Sequence, residues 1–456
     1  MPLNISTLKR RFVSILAFAI AFGPTHWQIF AQASQAVASP VLASQPAPDP
    51  PARTWQAGWI THPTAPLREP IVLHFRRVLT LATVPTSYLV RVSADNRFIL
   101  YVNGHRVGDG PARGDLLHWR YERFDLAPFL QPGANLINAT VWNFGILAPL
   151  AQISDRTAFL LESESGAPSD RSSSLGSEAD GPDSINTGVS KSINAPDNGR
   201  SAWQVEVEPG HRPLDRSTVT LKTYFAAGPG EEIDAAHYDW DWQSPSASSG
   251  AWVPAASPMR DSIFPGVNRA HSAGTTGDNP WGLIPDELPP MEHVPTDPGK
   301  VRLALQSFAI QDPGSPGNIV AGTGAPSFPL KDFPTSAALI PAGTHLHILL
   351  DRKTLTTAYP RLTVSGGKGS KITLTYSEAL YDKDQHKGDR DEVAGRTALG
   401  LTDRFLPDGG AHRVFEPLWW RTWRYLDLDI ETADEPLKLE SLTANFTCLL
   451  YTSRCV

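Results

Sequence analysis

The run ADNRFILYVNG, residues 94–104, constrains the fold of this chain more than any other stretch. Phe98, Leu100 and Val102 alternate with Arg97, Ile99 and Tyr101. Successive side chains of a strand point to opposite faces, so the spacing predicts a strand over Arg97–Val102. The run closes on Asn103-Gly104, a pair suited to the left-handed backbone of a two-residue hairpin turn. Turns and strands continue after it. A Gly-rich turn leads into His118-Trp119-Arg120-Tyr121, a strand signal ends at Phe124-Asp125-Leu126, and Pro132-Gly133 precedes a strand over Leu136–Trp142. The 41 prolines and 35 glycines, against only 3 methionines, suit a turn-rich all-β chain better than a helical one.

At 456 residues the chain is long enough for several domains. Lys9, Arg10 and Arg11 precede an apolar run over Phe12–Phe22, and small residues follow at Ala31-Gln32-Ala33 and Ala36-Val37-Ala38. This pattern predicts a signal peptide over 1–33 and a linker over 34–53. The mature protein is then expected to be secreted or periplasmic, with no membrane attachment after cleavage. A net charge of −7 without a basic patch argues against a nucleic-acid partner.

Residues 54–162 read as a first β-sandwich, with strands over Ile71–Leu79, Ser87–Ser93, Arg97–Val102, Leu136–Trp142 and Thr157–Leu161. Residues 163–200 hold almost no large apolar side chain and read as a low-complexity insertion. Residues 201–300 form a loop-rich connecting region punctuated by Trp203, Trp240, Trp242, Trp252 and Trp281, expected to wrap its neighbours instead of folding alone. Strand signals return over 301–447, a second sandwich, at Thr344–Asp351, Arg361–Ser365 and Ser370–Tyr376; Val414–Trp419 reads as the pairing partner of Arg424–Ile430. The expected fold is all-β: two or more jelly-roll or β-sandwich domains joined by the Trp-containing region, with no (α/α)6 barrel. The last nine residues, CLLYTSRCV, contain both cysteines, and one set of codons for them matches the mosaic-end adapter of transposase-based sequencing libraries joined to its own reverse complement. Residues 448–456 are therefore expected to be adapter read-through, with the natural chain continuing past Thr447.

Three groups of residues carry candidate chemistry. Asp95, Asn96 and Arg97 stand at a strand start, where they can contact a sugar hydroxyl or a calcium ion, or simply close a turn with local hydrogen bonds. Trp119, Tyr121 and Trp142 offer rings for stacking a pyranose, or for packing a core. The loop Asp382–Glu392 sets Asp382, Asp384, Asp389, Asp391 and Glu392 among Lys383, Lys387 and Arg390, which suits a solvated, self-neutralising surface. His118 and the other histidines show no metal-ligand spacing, so no metal and no cofactor are expected. No Gly-x-Ser-x-Gly elbow is present, which disfavours a serine hydrolase.

Taken together, four segments resemble the α-L-rhamnosidases of glycoside hydrolase family 78. They are the 94–145 run and PWGLIPDELPPME (280–292), which matches a connector between sandwiches. LTTAYPRLTVSGGKGSKITLTYSEALYDKDQHKGDRDEV (355–393) carries Tyr376–Leu380 before a Lys387–Asp391 loop, and TDRFLPDGGAHRVFEPLWWRTWRYLDLDI spans 402–430. The resemblance implies a secreted enzyme cleaving terminal α-L-rhamnosides with inversion, by an acid and a base carboxyl about 6.5–9.5 Å apart. In the family these lie in a helical barrel after the second sandwich. No residue here matches them, so no catalytic residue is expected before Thr447 and this piece alone is expected to be inactive. Lys387, Asp389, Arg390, Asp391 and Glu392 would border the active-site mouth. Trp419, Trp420 and Trp423 would face the barrel, and rhamnose-containing glycans would be bound through it. Two other functions share parts of the pattern: a non-catalytic carbohydrate-binding or adhesion protein, and a β-galactosidase-like glycosidase with the same first jelly roll. The 355–430 block favours the rhamnosidase over the latter.

Overall fold

Strand Arg97–Val102 forms where the alternation places it, and Asn103 and Gly104, at φ of 52° and 79°, turn the chain into strand His105–Gly110. The computed structural model describes residues 55, 57–164, 185–187, 200–221, 226–244, 251–258, 280–311, 319–330 and 332–448. The signal segment 1–33, the linker 34–53, most of the insertion 163–200 and residues 449–456 lie outside them. The described chain is all-β, with three short 3-10 turns and no α-helix among the described residues.

Two sheets pack face to face in the N-terminal part. A six-stranded sheet runs in the order Val253–Ala256, Arg200–Val207, Ile71–Leu81, Gly133–Asn143, Arg97–Val102, His105–Gly110. A four-stranded sheet runs Leu283–Pro285, Trp119–Asp125, Leu89–Asp95, Ala158–Ser163. Phe75 and Phe98 of the first meet Phe159 of the second, at 5.1 and 6.4 Å between ring centroids, and Trp203 closes on Phe159 at 5.5 Å. Such aromatic pairs add about 0.5–1.5 kcal/mol each beyond area burial. The outer face of the four-stranded sheet is covered as well. Arg91 pairs with Glu162 and lies 4.2 Å from the Trp55 ring centroid, while Glu162 also accepts from the Ala57 amide at 2.7 Å.

A third sheet has twelve strands. Its spine is the 22-residue strand His345–Gly366, whose pairing with Arg421–Glu431 slips between Asp351 and Thr356. Lys353 takes φ 71° there, and the Asp351 carboxylate holds the turn by accepting its amide at 2.7 Å. The bulge bends the strand, as inserted residues do. Its first half therefore contributes Leu346, Ile348 and Leu350 and its second half Ala358, Leu362 and Val364 to one core, with Trp423 and Phe405. Arg413–Phe415 pairs with Leu362–Val364 of this spine and not with Arg421–Glu431. That corrects the expected Val414–Trp419 pairing: the strand ends at Phe415, and Pro417 lies outside any strand.

The connecting region is divided between the sheets. Arg200–Val207 and Val253–Ala256 complete the six-stranded sheet, while His211–Pro213 and Glu231–Asp234 extend the twelve-stranded one. Glu231–Asp234 runs parallel to Leu401–Leu406, and a Cβ at Gly230 would lie 1.7 Å from the Thr402 carbonyl oxygen, so the approach requires glycine. Trp242, from the same region, stacks on His74 at 4.0 Å and meets Tyr101 edge-on at 5.5 Å. Val72, Ile99, Trp142, Phe144 and Leu418 form a further buried cluster on this outer face. The six-stranded sheet is thus buried on both faces.

Candidate functional site

The Trp419-Trp420 turn, which follows Pro417 and precedes strand Arg421–Glu431, borders a cleft of about 880 Å³. The two indoles stack on each other at 3.9 Å and 30°, and both are half-buried. Facing them are Tyr381, Glu378, Asp384, Gln385 and Lys387 from the loops around the short strand Leu380–Tyr381. Lys387 holds its ammonium 5.8 Å from the Tyr381 ring centroid. An aromatic platform beside carboxylate, amide and ammonium groups is the chemistry that a polyhydroxylated ligand requires. The pyranose face stacks and the hydroxyls pair with both donors and acceptors.

The cleft stands on a buried ionic network. Arg421 reaches Asp403 through Nε at 2.9 Å and Nη2 at 2.7 Å, and Glu231 through Nη2 at 2.9 Å. Glu231 in turn accepts from the Leu418 amide at 2.7 Å and meets His211 Nε2 at 2.8 Å. Burial works against the Arg421 cation, but Asp403 and Glu231 more than offset it and raise its pKa. Burial likewise opposes the Glu231 carboxylate, and Arg421 and His211 overcome it. Tyr376, at the cleft floor, has its pKa pushed well up by burial and by the Asp403 charge, so its hydroxyl stays neutral. The network anchors Leu418, immediately before the tryptophan pair, to the parallel strand pairing beneath.

Of the residues singled out in the sequence, Asn96, Arg97 and Trp142 come together at a crevice of about 20 Å³, room for about one water and not for a sugar ring. Arg97 donates to the Pro111 carbonyl at 2.8 Å and lies 4.2 Å from the Trp419 ring centroid, joining this crevice to the cleft turn. Asp95 is fully buried, and its carboxylate accepts from Asn96 Nδ2, Ser154 Oγ, the Asp155 and Arg156 amides and Trp281 Nε1 at 2.7–3.2 Å. Replacing Asp95 with alanine is expected to orphan these donors and cost about 3 kcal/mol in urea unfolding; a loss below about 1 kcal/mol would contradict this structural role. Trp119 and Tyr121 lie on the outer face of the four-stranded sheet, 3% and 4% exposed, with Trp55, Trp59 and Trp281. No ring of this trio presents a free face.

The acidic loop also divides. Lys387 reaches the cleft wall, whereas its neighbours are engaged locally. Asp391 accepts from Arg424, Glu392 from Arg396 at 2.6 Å, Asp389 from the Asp391 amide at 2.8 Å, and the Arg390 carbonyl from the Tyr425 hydroxyl. The Arg424 contact holds the exposed Asp391 carboxyl below its usual range. Trp423 is fully buried, its indole N–H donating to the Pro298 carbonyl at 3.1 Å. This corrects the expected three-tryptophan face: Trp423 points into the core with Leu426, Leu428 and Ile430, leaving Trp419 and Trp420. Sequence patterning does not single out Glu378 or Gln385 and reads Asp384 only as part of the solvated loop, because only the fold sets them opposite the tryptophans.

No protein-family model matches the chain, and no curated protein sequence does. Among solved structures, the GH78 family rhamnosidase of Bacillus sp. GL1 is similar over 87% of this chain and 55% of its own, with a TM-score of 0.61 at 14% identity. The α-L-rhamnosidase from Aspergillus terreus matches over 86% of this chain and 36% of its own, with a TM-score of 0.49 at 16% identity. The likeness to the Bacillus protein shows a rhamnosidase-like fold, and the described strands make it all-β. It spans about half the length of the Bacillus protein.

Proposed function

We propose that this chain is the non-catalytic β region of a secreted glycoside hydrolase that removes terminal α-L-rhamnosyl groups with inversion. Its acid and base carboxyls lie outside residues 55–448. The observation that carries this reading is the likeness in fold to the Bacillus rhamnosidase, which extends over 87% of this chain but only 55% of that protein. In this reading the Trp419-Trp420 cleft receives the outer sugars of an extended glycan, and the loop Lys387–Glu392 borders the active-site mouth.

The test compares the 456-residue chain with the product of a gene read past the Thr447 codon, both on an aryl α-L-rhamnoside. Only the longer product is expected to release rhamnose, as the β-anomer first, seen by proton NMR. Hydrolysis by the shorter chain, or a first product of retained configuration, overturns the proposal. A second reading, a free-standing carbohydrate-binding protein, is favoured by the cleft itself. It takes over if the gene stops at Thr447 and that product still binds rhamnose-containing oligosaccharides.

A further inference from the structure

Strands His345–Gly366 and Arg421–Glu431 pair with His345 opposite Glu431 and His347 opposite Asp429. Because side chains two apart on a strand share a face, His345 and His347 project together from the sheet, 43% and 42% exposed. Their rings are 5.0 Å apart, and both aim Nε2 at one oxygen of Asp429, at 2.7 Å from His345 and 3.5 Å from His347. The ligand atoms of all three residues lie within 4.8 Å of one another. Asp427 lies one strand repeat from Asp429 on the same face, close enough for the His347 charge to act on its carboxyl.

We propose that His345, His347 and Asp429 form a binding site for a borderline divalent transition metal, of which Zn2+ is the type. The proposal does not depend on the function assigned above. Two imidazoles and a carboxylate suit zinc, copper or nickel, whereas calcium and magnesium call for oxygen ligands throughout. The geometry is close to that required. A tetrahedral zinc with bonds of about 2.0–2.1 Å sets its ligand atoms about 3.3 Å apart, so the separations of 2.7 and 3.5 Å need adjust by only about half an ångström. Asp427 and Glu431 surround the site with negative charge, offset in part by Lys371, which pairs with Glu431. The three side chains are partly exposed, so the fourth position is left to water. Sequence spacing did not reveal the site, because a strand needs only His-x-His and the third ligand comes from another strand.

Isothermal titration of the purified chain with Zn2+ is expected to show binding lost in parallel in His347→Ala and Asp429→Asn. The loss should be about 10- to 100-fold or more, since even groups that merely orient a metal ligand contribute on that scale. Both side chains are partly exposed, so these variants are expected to keep the parent far-ultraviolet circular dichroism. His386→Ala, which removes the histidine of the loop cluster Asp382, Asp384 and His386, should leave the titration unchanged. A large excess of Ca2+ should not displace the zinc. Absence of binding at about 100 µM Zn2+, or binding that survives His347→Ala and disappears in His386→Ala, overturns the proposal.

Discussion

Replacing Arg421 by methionine is expected to destabilise the protein by about 3–5 kcal/mol, because removing one partner of a buried ion cluster leaves the others charged and unpaired. Arg421, Glu231 and Asp403 have side chains at most 1% exposed, so neither carboxylate can recover its hydration when the guanidinium is lost. The damage should reach beyond the pair. Glu231 also holds the Leu418 amide and His211, so the Trp419-Trp420 turn and the parallel strand Glu231–Asp234 lose their common anchor. The measurement is a urea unfolding curve followed by tryptophan fluorescence. The triple variant Arg421→Met, Glu231→Gln, Asp403→Asn should recover part of the loss, since it removes the uncompensated charges. A single-variant loss below about 1 kcal/mol would mean that water reaches the cluster.

Stability is also expected to fall by about 2–3 kcal/mol between pH 6.5 and 8.5. The cause is the buried face where Glu206 stands across from His74, with Glu208 two residues along the same strand. Burial, reinforced by the neighbouring Asp239, pushes the Glu206 carboxyl up to about 8, and burial pushes Glu208 up to about 7, both from 4.5. A carboxyl whose folded pKa is raised keeps a proton that the unfolded chain has released. Its stabilising contribution is therefore complete below about pH 4.5 and is lost as the pH rises through 7 and 8. His74 acts in the opposite sense. Burial lowers it from 6.5 to about 3, so it costs stability only as the pH falls below 6.5. Above pH 6.5 the carboxyls act without it. Glu206→Gln keeps a neutral side chain able to donate to Asp239, and should reduce the fall over this interval to about 1 kcal/mol, the share of Glu208. A wild-type profile flat over the interval, or an unchanged slope in the variant, would sink this account.

Much of the architecture was legible because β structure advertises itself locally. The alternation over Arg97–Val102 and the Asn103-Gly104 pair need only their own backbone to define a strand and a hairpin turn. The connecting region was less legible. Its strands are three to eight residues long and take their partners from three different sheets, so no period accumulates within 200–300. Its tryptophans were visible as signals without destinations: Trp203 in the N-terminal core, Trp242 against His74, Trp281 against Trp59.

The sites divide in the same way. The charge-rich loop was plain in the sequence, yet only Lys387 of the five residues put forward there lines the cleft, because Arg424, Arg396 and Tyr425 occupy three of the others. The sequence by itself determined the all-β class, the principal strands and hairpin, and the turns that separate them, since each depends on side-chain alternation and backbone preference over a few residues. Only the tertiary structure decided that both faces of the six-stranded sheet are buried, that Glu231 and Asp403 converge on Arg421, and that His345 and His347 meet Asp429. Those pairings depend on the register between strands distant in the chain, a property that no local run of residues encodes.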